Sequence, residues 1–179
     1  NEFNKKKLIY ISTYSIMDKT RKRKRYVKNK ILIENLIKKK INNYLIIRLP
    51  EIIGHNKNPH TLSNFFYKKI KNKKKFIIWK NVKRNFLDVD DAVKLCVYFI
   101  KNSKSKKEIL NILNVKFYRP LQIVRLFEKI LKLKSHFKIL EIKRINFKIY
   151  NSVKLNILKK LNIKLNNQYL ELVLKKYYK

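Results

Sequence analysis

Two apolar segments separated by one helical pattern constrain the fold of this chain most strongly. The segments are KLIYIST, Lys7–Thr13, and YLIIRL, Tyr44–Leu49, and each has the length and the β-branched or aromatic content of a strand. Between them, residues 26–40 repeat apolar side chains at helical spacing without glycine or proline. Wholly apolar strands are typical of parallel sheets that helices cover. The region therefore predicts a strand, a helix and a second parallel strand of an α/β protein.

The same alternation continues to the end of the chain. Apolar periodicity predicts helices over residues 61–70, 88–102, 121–133 and 168–178, and strands over residues 76–79 and 109–113. Pro120 stands where proline is favoured at a helix start. Asp88, Asp90 and Asp91 open the 88–102 helix, where acidic side chains match the positive end of the helix dipole. The whole pattern predicts one α/β unit with no internal repeat.

Several side chains exclude whole classes of site. Cys96 is the only cysteine, so no internal disulfide and no multi-cysteine metal site can form. His55, His60 and His136 have no ligand spacing, and no metal site is predicted. Trp79 and Cys96 are expected in the core. No apolar run reaches the roughly 18 residues that a membrane helix needs, so we expect a soluble, cytoplasmic protein with no membrane span.

The formal net charge of +36 allows two interpretations. Clustered Lys and Arg neutralise phosphates, which favours a basic nucleic-acid-binding module without catalytic activity. Lys, Asn and Ile have AT-rich codons, however, and the scarce Gly, Ala and Pro have GC-rich ones, so genome bias alone could produce this charge. Lysines occur in every segment, and KTRKRKR, residues 19–25, is the local exception. We favour the bias, and expect nonspecific nucleic-acid binding from charge in either case.

A tyrosine and a lysine one helical turn apart form a candidate catalytic pair. Tyr26 begins the helix after the first strand, and Lys30 lies on the same face, where an ammonium would lower the pKa of a tyrosine. The hydroxyl of Thr13, at the strand end, would complete the site, or would simply cap the next turn. The same spacing recurs at Tyr67 and Tyr150 without a preceding strand, and chance alone predicts about two such matches. An exposed helical pair is therefore the alternative.

Five segments in order resemble the extended short-chain dehydrogenase/reductases, the NAD-dependent epimerase/dehydratase group that acts on nucleotide sugars. They resemble, in turn, the family's fifth strand with its Ser/Thr segment, its Tyr-x-x-x-Lys helix, its Arg-x-x-Asn-x-x-Gly segment, its Arg-Asp-Phe-x-x-Val-x-Asp segment and the following strand. The segments are LIYISTYSIMD (8–18), YVKNKILIE (26–34), RLPEIIG (48–54), RNFLDVDDAV (84–93) and ILNILN (109–114). The resemblance implies a partial Rossmann-like parallel sheet with helices on both faces and a small α/β substrate-binding subdomain.

The resemblance also implies roles for the candidate pair. Thr13 would hold the reacting sugar oxygen, and Tyr26 would donate or accept its proton. Lys30 would lower the pKa of that tyrosine, and Lys30 and Tyr26 would contact the cofactor, NAD or NADP, at its nicotinamide ribose. Tyr14 and Ser15 follow Thr13 where the dehydratases carry Asp-Glu. A nucleotide-sugar epimerase or a ketosugar reductase is therefore expected.

Three further residues are candidates for substrate binding. Arg84 would pair with the nucleotide pyrophosphate through its bidentate fork. Asn85, beside it, falls in the same segment. Glu51 stands where the family usually carries Asn, which places a negative charge near that phosphate and puts the contact at this position in doubt.

A single glycine limits what these residues can bind. A dinucleotide cradle needs several glycines between a strand and a helix, and this chain has only Gly54. We therefore expect the carboxyl-terminal part of an enzyme, without tight NAD binding or turnover. Residues 1–53 and 84–115 would form half of the Rossmann-like domain, without its first four strands, and 54–83 and 116–179 the substrate-binding subdomain. Family members commonly pair through the Tyr-bearing helix, so a homodimer is also expected.

Overall fold

A computed structural model describes residues 6–18, 20, 21, 23–56, 58–141 and 150–179 of the chain. Residues 19 and 22 of the basic segment lie outside the described residues. The strands are β1 (Leu8–Thr13), β2 (Tyr44–Leu49), β3 (Glu51–Ile53), β4 (Phe76–Trp79), β5 (Phe86–Asp88), β6 (Lys107–Asn111) and β7 (Phe137–Leu140). The α-helices are α1 (Arg25–Lys40), α2 (Leu62–Lys71), α3 (Val89–Asn102), α4 (Pro120–Leu131), α5 (Leu155–Lys160) and α6 (Tyr169–Tyr178).

The described chain forms two compact units. The first holds residues 1–50, 90–113 and 147–163, and the second holds residues 51–89, 114–146 and 164–179. The division predicted from the sequence has other borders: it assigned residues 51–53, 84–89 and 114–115 to the first part and 147–163 to the second. The functional names given to the two predicted parts stay predictions.

A parallel sheet in the order β1-β2-β6 is the centre of the first unit. Leu8 lies opposite Tyr44, and Tyr44 lies opposite Lys107, so all three strands run the same way. The central strand is apolar on both faces because Leu45, Ile46 and Ile47 are fully buried. The α/β fold with parallel strands is thereby confirmed.

Helix α1 connects β1 to β2 and runs for 16 residues without a glycine or proline. Its buried Ile37 packs with Tyr44 and Ile46 of β2, and Tyr10 of β1 lies against the same cluster. Three lysines end the helix, where cations favour the negative end of the helix dipole. Burial of one stripe of side chains therefore packs α1 against the sheet, and its other faces expose both Lys and apolar side chains.

Two short parallel strand pairs, β3-β5 and β4-β7, and an aromatic core make up the second unit. Phe66 lies 5.6 Å from Phe76, and Phe127 lies 5.2 Å from Tyr178, measured between ring centres. Helices α2, α4 and α6 supply most of these rings, and each such pair adds roughly 0.5–1.5 kcal/mol beyond its buried area. Aromatic packing thus joins the helices of this unit to β4.

A buried carboxylate fastens α6 in the second unit. Asp88, at the end of β5, accepts hydrogen bonds from Lys176 and Tyr177, each at 2.9 Å. Its backbone N–H donates to the hydroxyl of Tyr169 at 2.8 Å. The prediction that Asp88 lies in the first turn of α3 is therefore wrong, because that helix begins at Val89.

Most predicted elements are confirmed, and the differences have local causes. The predicted 109–113 strand is β6, shifted two residues earlier because its pairing with β2 begins at Lys107. Helix α4 begins at Pro120, as predicted. Strands β3, β5 and β7 and helix α5 were not predicted. Strands β3 and β5 have only three residues, Lys138 interrupts the apolar run of β7, and α5 has fewer than two turns.

One of two residues expected in the core lies at the surface. Trp79 is 41% exposed, so its core assignment is wrong. Cys96 is half-buried, and burial raises the pKa of its thiol. Within the described ranges, no helix is long and apolar enough to cross a membrane.

Gly54 permits a close contact that any larger residue would disturb. A Cβ atom at this position would lie 2.9 Å from Cγ1 of Val89, closer than two carbon atoms can pack. We predict that Gly54→Ala lowers the free energy of unfolding by about 1–3 kcal/mol, measured by urea denaturation. Adding Val89→Ala should restore part of this loss, because it removes the clashing methyl groups. Equal stability of Gly54→Ala and wild type would contradict the packing.

Candidate functional site

Thr13 ends β1 and caps the short 3-10 helix Tyr14–Met17. Its side-chain oxygen accepts a hydrogen bond from the backbone N–H of Ser15 at 3.2 Å, and the residue is buried. The capping contact considered from the sequence is therefore present. Because this bond uses a lone pair, the hydroxyl hydrogen can be donated to another oxygen.

Tyr26 and Lys30 lie in the first two turns of α1. The ammonium of Lys30 donates a 2.8 Å hydrogen bond to the carbonyl oxygen of Ile11 in β1. It lies 4.6 Å from the ring centre of Tyr10 and 5.9 Å from that of Tyr26. Tyr26 is 59% exposed. The lysine thus bridges α1 to β1 and holds a positive charge beside an accessible tyrosine.

A buried ion pair lies one turn beyond Lys30. Glu34 is 1% exposed, and its carboxylate accepts hydrogen bonds from the Ser12 hydroxyl at 2.6 Å and from Arg48 at 2.6 and 3.0 Å. Burial alone would raise the pKa of this carboxyl, but the Arg48 and Ser12 hydrogen bonds outweigh it and lower the pKa below its ordinary value. The pair fixes α1 against β1 and β2.

Sequence reasoning missed this ion pair, although one signal could have found it. Glu34 is the only acidic residue in α1, and it lies four positions after Lys30. A single acidic residue among so many lysines suggests a specific partner for its carboxylate. Ser12 precedes Thr13 directly, so the same contacts also position the end of β1 that carries Thr13.

Arg84 and Glu51 come together in the second unit. The Nε atom of Arg84 lies 3.7 Å from Oε1 of Glu51, and both side chains are largely buried. The backbone of Arg84 exchanges two hydrogen bonds with Tyr118, at 2.7 and 2.8 Å. Glu51 therefore offsets part of the arginine charge that a phosphate would meet.

Asn85 is a structural link in this unit. Its amide nitrogen donates to the carbonyl oxygens of Asn114 at 2.8 Å and Lys116 at 3.0 Å. Its amide oxygen accepts from the backbone N–H of Asn114 at 2.9 Å. Because the side chain is buried and bonded at both ends, these contacts give no support to substrate binding by Asn85, which stays a prediction.

The candidate residues fall into two groups, one in each unit. Thr13, Tyr26 and Lys30 belong to the first unit. Thr13 lies at the carboxyl end of β1, Lys30 donates a hydrogen bond to that strand, and Tyr26 lies at the start of α1 beside Lys30. The substrate-binding candidates belong to the second unit. In the part of the chain that the structure describes, no three His, Cys, Asp or Glu residues group to hold a metal ion. The catalytic and binding roles stay predictions.

The family follows from a comparison with known protein families. The model of the NAD dependent epimerase/dehydratase family matches residues 2–112, more than half of the chain. The chain belongs to this family. The matched residues include every candidate site residue described above, and the predicted resemblance is confirmed. No curated protein is a significant match.

Three solved structures of similar fold are nucleotide-sugar enzymes in complex with NAD. UDP-glucuronic acid 4-epimerase from Bacillus cereus aligns with 96% of this chain at 20% identity and a TM-score of 0.73. UDP-glucose 4-epimerase from Thermus thermophilus aligns with 97% at 10% identity and a TM-score of 0.69. dTDP-glucose 4,6-dehydratase from Bacillus anthracis str. Ames aligns with 99% at 14% identity and a TM-score of 0.69.

The chain spans 60–64% of the length of these three proteins. At these identities the likeness shows the fold, and the NAD in each structure supports the predicted cofactor class by resemblance. The predicted Rossmann-like fold of the family is therefore confirmed for this chain.

The buried Glu34 makes the free energy of unfolding depend on pH in the acidic range. Because its folded pKa lies below the ordinary value of 4.5, its contribution is complete above that value and is lost as pH falls through the folded pKa. We predict that Glu34→Gln costs about 2 kcal/mol at neutral pH and flattens the acid loss, measured by urea unfolding at several pH values. Glu141→Gln is the control, because its exposed pair with Lys80 contributes at most about 1 kcal/mol. Equal losses in both variants would contradict the buried pair.

Proposed function

We propose that this chain carries the catalytic and substrate-binding residues of an NAD(P)-dependent nucleotide-sugar epimerase or ketosugar reductase. The observation that carries the proposal is the Lys30 ammonium, held on the Ile11 carbonyl between Tyr26 and the strand that ends in Thr13. In this proposal Tyr26 moves the proton of a sugar hydroxyl, and Thr13 orients that oxygen. Lys30 stabilises the tyrosinate form by its charge.

The proposed substrate is a nucleotide sugar. One of the similar structures, a UDP-glucuronic acid 4-epimerase from Bacillus cereus, is a complex with UDP-glucuronic acid and NAD. Arg84 is the proposed pyrophosphate ligand, since a guanidinium matches two phosphate oxygens at once. Binding would require the phosphate to compete with Glu51 for that charge.

The residues present fit the nicotinamide end of the cofactor but not its pyrophosphate. Lys30 and Tyr26 suit the nicotinamide ribose, and a bound NAD or NADP would supply the hydride transfer. A pyrophosphate cradle does not fit, because Gly54 is covered by Val89 and gives no open backbone approach. We therefore propose that a glycine-bearing dinucleotide-binding segment acts together with these 179 residues.

We also propose that two copies pair through α1 and that the protein acts in the cytoplasm. Leu32 and Leu36 support the pairing, because they are 60% and 46% exposed on the helix that carries Tyr26. Sedimentation equilibrium measures this directly, and a monomer at micromolar concentration would contradict it. Fractionation of cells tests the location.

Tyr26→Phe tests the catalytic assignment. The activity of the variant is measured in the full-length protein, with any adjoining segment present, using UDP-glucuronic acid and NAD. We expect kcat to fall at least about 100-fold, because the proton carrier is removed while the ring remains. Tyr67→Phe and Tyr150→Phe are matched controls, since they share the Tyr-x-x-x-Lys spacing, and should retain activity. Full activity of Tyr26→Phe would overturn the proposal.

A further inference from the structure

The basic segment KTRKRKR, residues 19–25, has no role in the proposed nucleotide-sugar chemistry. Six of its seven residues are Lys or Arg, and three of the eight arginines in the chain lie at positions 21, 23 and 25. A codon bias toward Lys explains lysines throughout the chain, but it does not place arginine at alternate positions of one segment. The segment is therefore a local feature that overall composition does not explain.

Arg23, Lys24, Arg25 and Lys28 form a basic patch at the start of α1. All four residues are exposed. None of the ion pairs among the described residues includes any of them. Lys24 and Lys28 are four positions apart on one helix face, where like charges repel each other. The patch therefore presents four positive charges to solvent.

The position of the basic patch opposes the dipole of α1. The amino-terminal end of a helix carries a partial positive charge, so cations there are destabilising, and the first turn of α1 contains no acidic residue. By contrast, the last turns of α1, α2, α5 and α6 carry two or three lysines each, which match the negative end of the dipole. Helix stability therefore does not explain the patch, and a bound anion would relieve its repulsion.

We propose that the basic patch binds the phosphate backbone of a nucleic-acid duplex. The planar fork of a guanidinium matches two phosphate oxygens at once. A duplex carries one negative charge for about every 1.7 Å of its axis. Residues 24–28 rise about 6 Å along α1, so several phosphates lie within reach of the four cations.

Two other anionic partners fit the basic patch less well. Proteins that bind single strands stack successive bases on aromatic rings, and residues 19–28 contain one ring, that of Tyr26. Segments that bind membrane surfaces also insert apolar side chains, and residues 19–25 contain none. A duplex backbone, recognised by its charge and not by its sequence, is therefore the ligand. The inference uses no residue assigned to the nucleotide-sugar chemistry and does not rest on it.

The test is fluorescence anisotropy of a labelled DNA duplex of about 20 base pairs, titrated with the full-length protein at several salt concentrations. Replacing all four residues of the basic patch by Gln should weaken binding at least about tenfold and reduce the slope of log affinity against log salt by about three. The matched control removes the same charge from exposed positions in the last turns of α1, α3 and α5, and it should change the affinity less than about twofold. Its four Gln replacements are at Lys39, Lys40, Lys101 and Lys159.

Thermal unfolding checks that both variants are folded. The patch variant should not have a lower Tm than wild type, because the charges it removes oppose the helix dipole. Equal loss of affinity in the two variants, or a lower Tm of the patch variant alone, would overturn the proposal. Tighter binding of a single strand of the same length, or of phosphatidylserine/phosphatidylcholine vesicles, would also overturn it and would assign the patch to that ligand.

Discussion

The buried carboxylate of Glu34 is the contact on which the first unit depends. It joins a hydroxyl from β1, a guanidinium from β2 and the middle of α1 in one place. A lone charge at 1% exposure would cost several kcal/mol, and Arg48 and Ser12 offset that cost by satisfying both oxygens. Lys30, one turn earlier, is thereby held over the same strand. The geometry proposed for catalysis rests on this pair.

Because the chain is strongly basic, its few acidic residues are important for stability. The chain has 11 Asp and Glu against 47 Lys and Arg. Two of the acids that are buried, Glu34 and Asp88, each bind a cation and fasten a helix, α1 and α6 respectively. Most lysines are exposed, where self-repulsion is screened by solvent. Genome bias would enrich such exposed positions, while buried acids are constrained by their partners.

The long elements could be predicted because each spans several repeats of its period. The first strand, α1, β2 and α4 follow from apolar spacing and from the proline at residue 120. Short strands such as β3 and β5 could not, because three residues define no period and their pairing depends on distant parts of the chain. The exposure of Trp79 was missed for a related reason: β4 is apolar throughout, so its sequence does not indicate which side chains face solvent.

The candidate site could be predicted in part. The order of the motifs identifies Thr13, Tyr26 and Lys30 as neighbours of one strand and one helix, and the structure places them there. The contact between Glu51 and Arg84 follows from the pairing of β3 with β5, which no local pattern indicates. The buried amide bonds of Asn85 are also nonlocal. Tertiary pairing therefore decides the contacts in the second unit.

The most direct measurement is titration calorimetry of these 179 residues with UDP-glucuronic acid and, separately, with NAD. The account predicts saturable binding of the nucleotide sugar that Arg84→Gln weakens about tenfold or more, while the exposed Arg119→Gln leaves it unchanged. It predicts no tight binding of NAD without a glycine-rich segment. Tight NAD binding, or nucleotide-sugar binding that both variants weaken equally, would contradict it.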